Sequence, residues 1–276
     1  LKSWFGYGLH LIADTQYEIP VAVHVTPASR SEQVELRTMI GELFAQEPPL
    51  AERCRDFSAD RGLDSAETKA LLWDAYRIRP LIDTRELWRE EKQQPDYDPS
   101  KLITRPLRPA RVDTIVHTEK GSVHCICPLT GEQRDLAFQG FEADRNTLKY
   151  RCPAAAYGLD CPGRERCHQA GGVDPGEYGR IVRIKLEEHD RRIFVPTPHG
   201  SPSWQRGYNR RSALERINNR IDHSFGFEQH FIRGLAKMQT RVGLALAVMM
   251  AMALGHIKQG RPQQMRSLVQ PIAATG

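Results

Sequence analysis

Glu215 stands in the run Tyr208-Asn209-Arg210-Arg211-Ser212-Ala213-Leu214-Glu215-Arg216-Ile217, a stretch dense in arginine. Arg206, Arg210, Arg211, Arg216 and Arg220 crowd around this one acid. A lone carboxylate among so many guanidiniums suits a site where the acid holds a divalent metal and the arginines hold phosphates. An amphipathic helix with internal ion pairs accounts for the same residues. A second acid favours the first reading. The run Cys54-Arg55-Asp56-Phe57-Ser58-Ala59-Asp60 has the character of a short strand ending at Asp60, ahead of the turn Arg61-Gly62-Leu63. A carboxylate at a strand end has a rigid support from which to reach a metal. Asp64 or Ser65 then caps a helix over 66–76, and Asp64 is assigned to that cap rather than to a metal.

Three stretches together resemble a known family. The first is Trp4-Phe5-Gly6-Tyr7-Gly8-Leu9-His10-Leu11-Ile12-Ala13-Asp14, continued by Ile19-Pro20-Val21-Ala22-Val23-His24-Val25-Thr26-Pro27-Ala28. The second is Ala59-Asp60-Arg61-Gly62-Leu63-Asp64-Ser65, and the third is Tyr208, Arg211 and Glu215 in a Tyr-x2-Arg-x3-Glu pattern. In order and spacing they are similar to the DDE transposases of bacterial insertion sequences, which have an RNase H-like catalytic core. The resemblance implies that Asp60 and Glu215 are the second and third catalytic acids and that they hold two Mg²⁺ ions. It also implies that Tyr208 and Arg211, with Arg216 and Arg220 in support, position the phosphates of double-stranded DNA. The expected reaction is strand cleavage and strand transfer, carried out by a homodimer on transposon ends and target DNA.

Three departures qualify the match. The family's first catalytic Asp lies on a strand ahead of the first stretch, so the resemblance places it upstream of Leu1. This chain, begun inside the core, is then expected to be inactive by itself. Asp14 is the early acid that remains, and the pattern puts it in a turn. Where the motif ends in Lys, seven residues after the Glu, this chain has Asp222, leaving Arg220 or Arg216 to serve. Finally, Leu63 replaces an aromatic residue on a packing position. Two other readings stay open: a degenerate or domesticated protein that binds DNA without cutting it, and a zinc-stabilised nucleic-acid-binding protein.

The elements that must position these residues follow from periodicity. Residues 7–14 and 19–26 alternate as strands, the second rich in valine, and the polar turn between them makes a hairpin. Val34, Leu36, Met39, Ile40, Leu43 and Phe44 fall at helical spacing over 31–44, capped by Ser29 or Ser31. Strands over 54–59 and 79–83 flank the helix over 66–76. The expected fold is α/β: an RNase H-like mixed sheet flanked by helices, with its N-terminal part in 1–85 and its C-terminal helical part in 204–259. Between them, 86–203 has clustered prolines and then short β-like runs at 112–118, 122–127, 136–138, 148–151 and 179–185. This is an inserted β-rich subdomain that separates Asp60 from Glu215, and in the family resembled such an insertion contributes to binding DNA ends.

That insertion holds Cys125, Cys127, Cys152, Cys161 and Cys167, with His124 and His168 alongside. Thiolates on tight Pro- and Gly-rich loops suit a tetrahedral zinc site. The spacings, Cys-x-Cys and Cys-x8-Cys-x5-Cys, are not paired Cys-x2-Cys knuckles, and semi-buried free thiols are the simpler reading. Cys54 is assigned to the core as a small apolar residue. Charge is uneven. Residues 1–100 carry 12 Lys/Arg against 18 Asp/Glu, a net −6, and residues 101–276 carry 27 against 16, a net +11. A basic C-terminal two-thirds suits phosphate contact. The helix expected over 232–258 is apolar on most sides, which argues for a place inside the protein, with Met238, Met249, Met250 and Met252 as core filling. The apolar run 243–255 is too short to cross a bilayer, and the protein is expected in the cytoplasm, associated with the nucleoid. The polar tail 260–276 is expected to be disordered.

Overall fold

The computed structural model describes residues 6–109, 114–171, 176–227 and 231–266. In chain order the first elements are β1 (Tyr7–Asp14), β2 (Ile19–Pro27), α1 (Glu32–Gln46), α2 (Pro48–Arg53), β3 (Asp56–Ala59), α3 (Ala66–Ala70) and β4 (Arg79–Ile82). Next come β5 (Arg105–Pro106), β6 (Ile115–His117), β7 (Val123–Ile126), β8 (Gln133–Asp135), β9 (Ala137–Glu142) and β10 (Thr147–Arg151). They are followed by α4 (Pro153–Tyr157), α5 (Arg164–Gly171), β11 (Ile181–Lys185), α6 (Pro202–Asn209), α7 (Ser212–Asn219) and α8 (Leu235–Lys258). The fold is mixed α/β. It has two compact units, Leu1–Cys54 with Asn209–Gly276, and Arg55–Tyr208. The strands expected in one mixed sheet form two pairs, β1–β2 and β3–β4, as separate sheets among the described residues.

In the first unit the alternation of β1 and β2 gives the hairpin two useful faces. The strands run antiparallel with His10 opposite His24, and the register shifts between Ile12 and Ala13. Asp14 closes the turn, its Oδ1 accepting the N–H groups of Gln16 at 3.0 Å and Tyr17 at 2.7 Å. Tyr7, Leu9, Leu11, Ala13, Val23 and Val25 pack into a core with Ile217, Ile221, Met238 and Val242. On the other face, His24 Nδ1 meets Glu35 of α1 at 2.6 Å and His24 Nε2 meets Glu42 at 3.1 Å. That bond from His24, opposed by burial, holds the Glu35 carboxyl below its ordinary range. Ser31 occupies the N-cap position of α1 without a side-chain bond. Each fully buried Leu, Ile or Met of α1 contributes about 1.5–3 kcal/mol, and Leu36, Met39, Ile40, Leu43 and Phe44 are the buried stripe.

The long helix α8 departs from expectation. Met238, Val242, Ala245, Leu246, Met249 and Ala253 are buried, whereas Leu244, Val248, Leu254 and Ile257 are about half exposed or more. One face packs on the hairpin and the other faces outward. Met250 and Met252 are only partly buried, so they are not full core filling. By length and composition alone α8 would suffice to cross a membrane. Of the tail, residues 260–266 are described and include a 3₁₀ turn at Pro262–Gln264; the expectation for 267–276 lies outside the described residues, as do Trp4 and Phe5.

In the second unit β3 and β4 pair in parallel, Ala59 opposite Ile82. The helix expected over 66–76 is split: α3 runs on into a π turn at Leu71–Ala75. Ser65 is its cap, with Oγ accepting Thr68 N–H at 3.0 Å. Asp64 therefore is not. It is buried, ion-paired with buried Lys69 at 2.7 Å, and its Oδ2 accepts Arg85 N–H at 2.9 Å. Lys69 also donates to the Arg192 carbonyl at 3.0 Å. Burial drives its ammonium below its ordinary pKa, and the Asp64 charge opposes this. Gly207 lets α6 approach β4, since a Cβ there would come within 2.3 Å of Leu81 Cδ1.

Strands β5 to β11 fall within residues 86–203. They form one four-stranded sheet, β5-β6-β7-β8, and one three-stranded sheet, β11-β10-β9, both antiparallel. A shared core joins them, with Trp88, Ile115 and Val123 against Leu148, Tyr150, Ile184 and Phe194. The start of the run expected at 112 lies outside the described residues.

Candidate active site

Asp60 follows the last residue of β3 and leaves the carboxyl end of the parallel pair, the edge where open α/β sheets present ligand-binding groups. Its side chain is exposed and accepts the Arg61 N–H at 3.0 Å, capping the 3₁₀ turn Arg61–Leu63. Arg85, three residues beyond the end of β4, pins this turn, donating to the carbonyls of Arg61 at 3.2 Å and of Gly62. The acid is thus displayed on a braced loop. Because Ala59 pairs with Ile82, the residues that follow each, Asp60 and Asp83, leave the same edge. Asp83 Oδ1 accepts Thr84 N–H at 2.9 Å and faces Lys120 Nζ at 3.3 Å. Sequence reasoning counted Asp83 only as a strand residue. The signal was the repeated pattern of apolar residue then acid, Ala59-Asp60 and Ile82-Asp83.

Glu215 lies in the first turn of α7, where Ala213 and Ile217 form the buried face. Its carboxylate is 60% exposed and pairs with Arg211 Nη1 at 2.9 Å, one helical turn earlier. Arg216 and Arg220 point elsewhere. Arg216 Nε donates to Glu18 Oε1 at 2.6 Å, and Arg220 donates to Glu18 Oε2 at 2.8 Å and to the Glu18 carbonyl at 3.1 Å. Glu18 is 3% exposed in the hairpin turn at φ 56°. Burial pushes its pKa up, but the two guanidiniums outweigh this and leave it lowered. These two arginines, expected on DNA, brace the hairpin against α7. Tyr208 stacks on Trp204, centroids 4.6 Å apart and 14° from parallel, while Arg206 and Arg210 are exposed.

Asp60 belongs to one compact unit and Glu215 to the other. Hard carboxylate oxygens are the donors Mg²⁺ takes, and both side chains are open to solvent, so the donor chemistry fits. Among the described residues, no three His, Cys, Asp or Glu side chains stand placed to hold an ion as they lie.

Cys125 sits on β7, Cys127 just after it, Cys152 at the N-cap of α4, Cys161 ahead of α5 and Cys167 within it. All are partly buried free thiols lining one cavity of about 30 Å³. Burial, then the neighbouring Cys152, Cys167 and Cys161, pushes the Cys125 thiol up to about 11. The side chain of His168 lies outside the described residues. Cys54 is not a core strand residue: it is partly exposed at the end of α2, and β3 begins only at Asp56.

Residues 126–251 match a family model described as a transposase DDE domain. Over that span, 126 of the 276 residues, the chain is similar to a transposase DDE domain. The resemblance to DDE transposases stands on this match, which takes in Tyr208, Arg211, Glu215, Arg216 and Arg220 and leaves Asp60 outside its span. DDE transposases act on DNA and typically use a divalent metal. No curated protein and no solved structure matches the chain.

Proposed function

We propose that this chain belongs to the catalytic machinery of a DNA transposase of an insertion sequence, one that cleaves and rejoins DNA strands by metal-dependent phosphoryl transfer. The observation that carries this is Glu215 itself: it falls inside the DDE-domain match, in the Tyr-x2-Arg-x3-Glu pattern, as an exposed carboxylate. In this reading Asp60 and Glu215 are the two acids that hold Mg²⁺. When bound, the metal supplies a Lewis acid to the attacking and leaving oxygens of an in-line displacement.

The chain's own residues supply the rest. Arg211 holds the Glu215 carboxylate in the protein alone, and in the DNA complex its planar fork turns to a phosphate instead. Tyr208, kept flat against Trp204, presents its hydroxyl edge to the same backbone. Arg206 and Arg210 add sequence-independent phosphate contacts. The braced turn after Asp60 keeps that acid from moving as the DNA seats. An antiparallel pair and a parallel pair are both pieces of the mixed sheet that an RNase H-like core contains. Residues 86–203 form the insertion that contacts DNA ends, between core parts at 1–85 and 204–259. The protein acts as a homodimer bridging two ends, in the cytoplasm with the nucleoid.

The test is strand cleavage of DNA carrying the element's own ends, with Mg²⁺ and the full-length gene product. Asp60→Ala and Glu215→Ala are each expected to lower cleavage by at least about 100-fold, with DNA binding retained. Wild-type cleavage by either variant sinks the assignment. Asp222, standing where the motif has Lys, favours a second reading, DNA binding without cleavage. Tight binding with no cleavage by the unaltered full-length protein would establish it.

A further inference from the structure

The five cysteines of the insertion come from three separate chain segments, around β7, after β10 and around α5, yet they line one cavity. Its volume of about 30 Å³ is room for roughly one water-sized body, too small for an organic ligand. We propose that four of these cysteines hold one structural zinc ion, which ties the sheet β5–β8 to the sheet β9–β11.

The surroundings of the sulfurs are those that thiolates need. The turn Cys127-Pro128-Leu129-Thr130-Gly131, with Gly131 at φ 71°, aims the N–H groups of Leu129 and Thr130 and the Thr130 hydroxyl at the Cys127 sulfur. The Gly163 N–H is aimed at Cys161 in the same way. Such N–H donors orient metal-bound thiolates and share their charge. Four thiolates on Zn²⁺ leave a net charge of about −2; Arg180 lines the cavity to offset part of it, and Arg134 lines it as an ion pair with Glu132. Arg180 Nη1 lies 4.0 Å from Cys167 Sγ and donates to Thr114 Oγ1 at 3.0 Å. Arg134 is held by Glu132 and the Asp160 carbonyl.

The choice of ion follows from softness and size. Sulfur donors select zinc over magnesium, and zinc–sulfur bonds of about 2.3 Å put the sulfurs about 3.8 Å apart. As the side chains lie, the sulfurs do not enclose an ion, so closure takes χ1 rotations between staggered rotamers. Disulfides are the rival use of clustered thiols, but an odd number of cysteines leaves one unpaired, and all are free. The two sheets share a small core, and small units are commonly stapled by a metal.

The proposal is independent of DNA cleavage and is tested without it. The untagged chain, purified from zinc-supplemented cells without chelator, is expected to carry about one zinc per chain by elemental analysis. Replacement by Co²⁺ is expected to give the sulfur-to-cobalt charge-transfer band and the visible bands of a tetrahedral site. Chelation is expected to lower the melting temperature and expose four further thiols to a thiol reagent. Cys152→Ser and Cys161→Ser lose the zinc, and Cys54→Ser keeps it. Zinc at background level in the unaltered chain, or cobalt spectra without sulfur charge transfer, overturns the proposal. So does a disulfide among the five found by mass spectrometry of the native protein.

Discussion

The stretch from Arg211 to Arg220 meets two carboxylates, Glu18 in the hairpin turn and Glu215 on its own helix. Glu18 is 3% exposed and takes two guanidiniums from residues 198 and 202 positions away. Glu215 is 60% exposed and takes one, from four positions away. The second unit repeats the contrast within four residues: Asp64 is buried on Lys69, and Asp60 is exposed on a turn. Removing one partner of a buried pair leaves a charge with no solvent to receive it, whereas an exposed acid exchanges a guanidinium for water or a metal at little cost. The chemistry of the residue type is the same in each couple. Burial separates the structural member from the reactive one.

The sharpest way to break that comparison is at Asp64. Asp64→Ala strands the Lys69 ammonium, 1% exposed, and is expected to cost about 3–5 kcal/mol in urea unfolding. The double variant Asp64→Ala with Lys69→Met, which removes both charges, is expected to recover much of that loss. A single variant that costs less than about 1 kcal/mol would place the pair with the exposed acids instead.

Glu18→Gln comes next. The amide keeps one acceptor oxygen and loses the other, so the expected cost is that of one charge-assisted hydrogen bond, about 1.5–3 kcal/mol. The pH dependence carries a signature. The folded pKa of Glu18 lies below its ordinary 4.5, so its contribution is fully present above that value and fades as pH falls through the depressed folded value. Stability below about pH 4.5 should therefore fall less steeply in Glu18→Gln than in the unaltered chain. Equal acid limbs in the two proteins would remove Glu18 from the structural class and return Arg216 and Arg220 to the DNA.

Much of this arrangement was legible in the residues, and the exceptions have physical causes. Period-two alternation and valine content located the hairpin, because one face of each strand had to be apolar, and α1 followed from its three- and four-residue spacing. Asp60 at a strand end was visible for the same reason. Asp64 was misplaced because Ser65 competes for the cap, and nothing in the sequence marks Lys69 as a lysine that will be buried. Arg216 and Arg220 were assigned to DNA because their partner is some 200 residues distant. The apolar content of α8 suggested a helix covered all round, yet the unit supplies packing for one face only. The cysteines looked scattered because their spacing is set by strand and turn lengths, and their convergence depends on how β7, β10 and α5 fold together.

At the mild end lies Glu215 itself. Glu215→Gln removes an exposed i,i+4 pair, and its expected effect on unfolding is within about 0.5 kcal/mol. The same variant is expected to lower metal-dependent cleavage by the full-length protein by at least about 100-fold, because the amide keeps the shape and loses the charge that a hard cation requires. A large loss of stability in Glu215→Gln would move this acid beside Glu18, and its place in the Tyr-x2-Arg-x3-Glu pattern would then reflect helix packing. Near-neutral stability with abolished cleavage is the combination that only an acid held in reserve for a ligand produces, since a brace would report in the unfolding curve first.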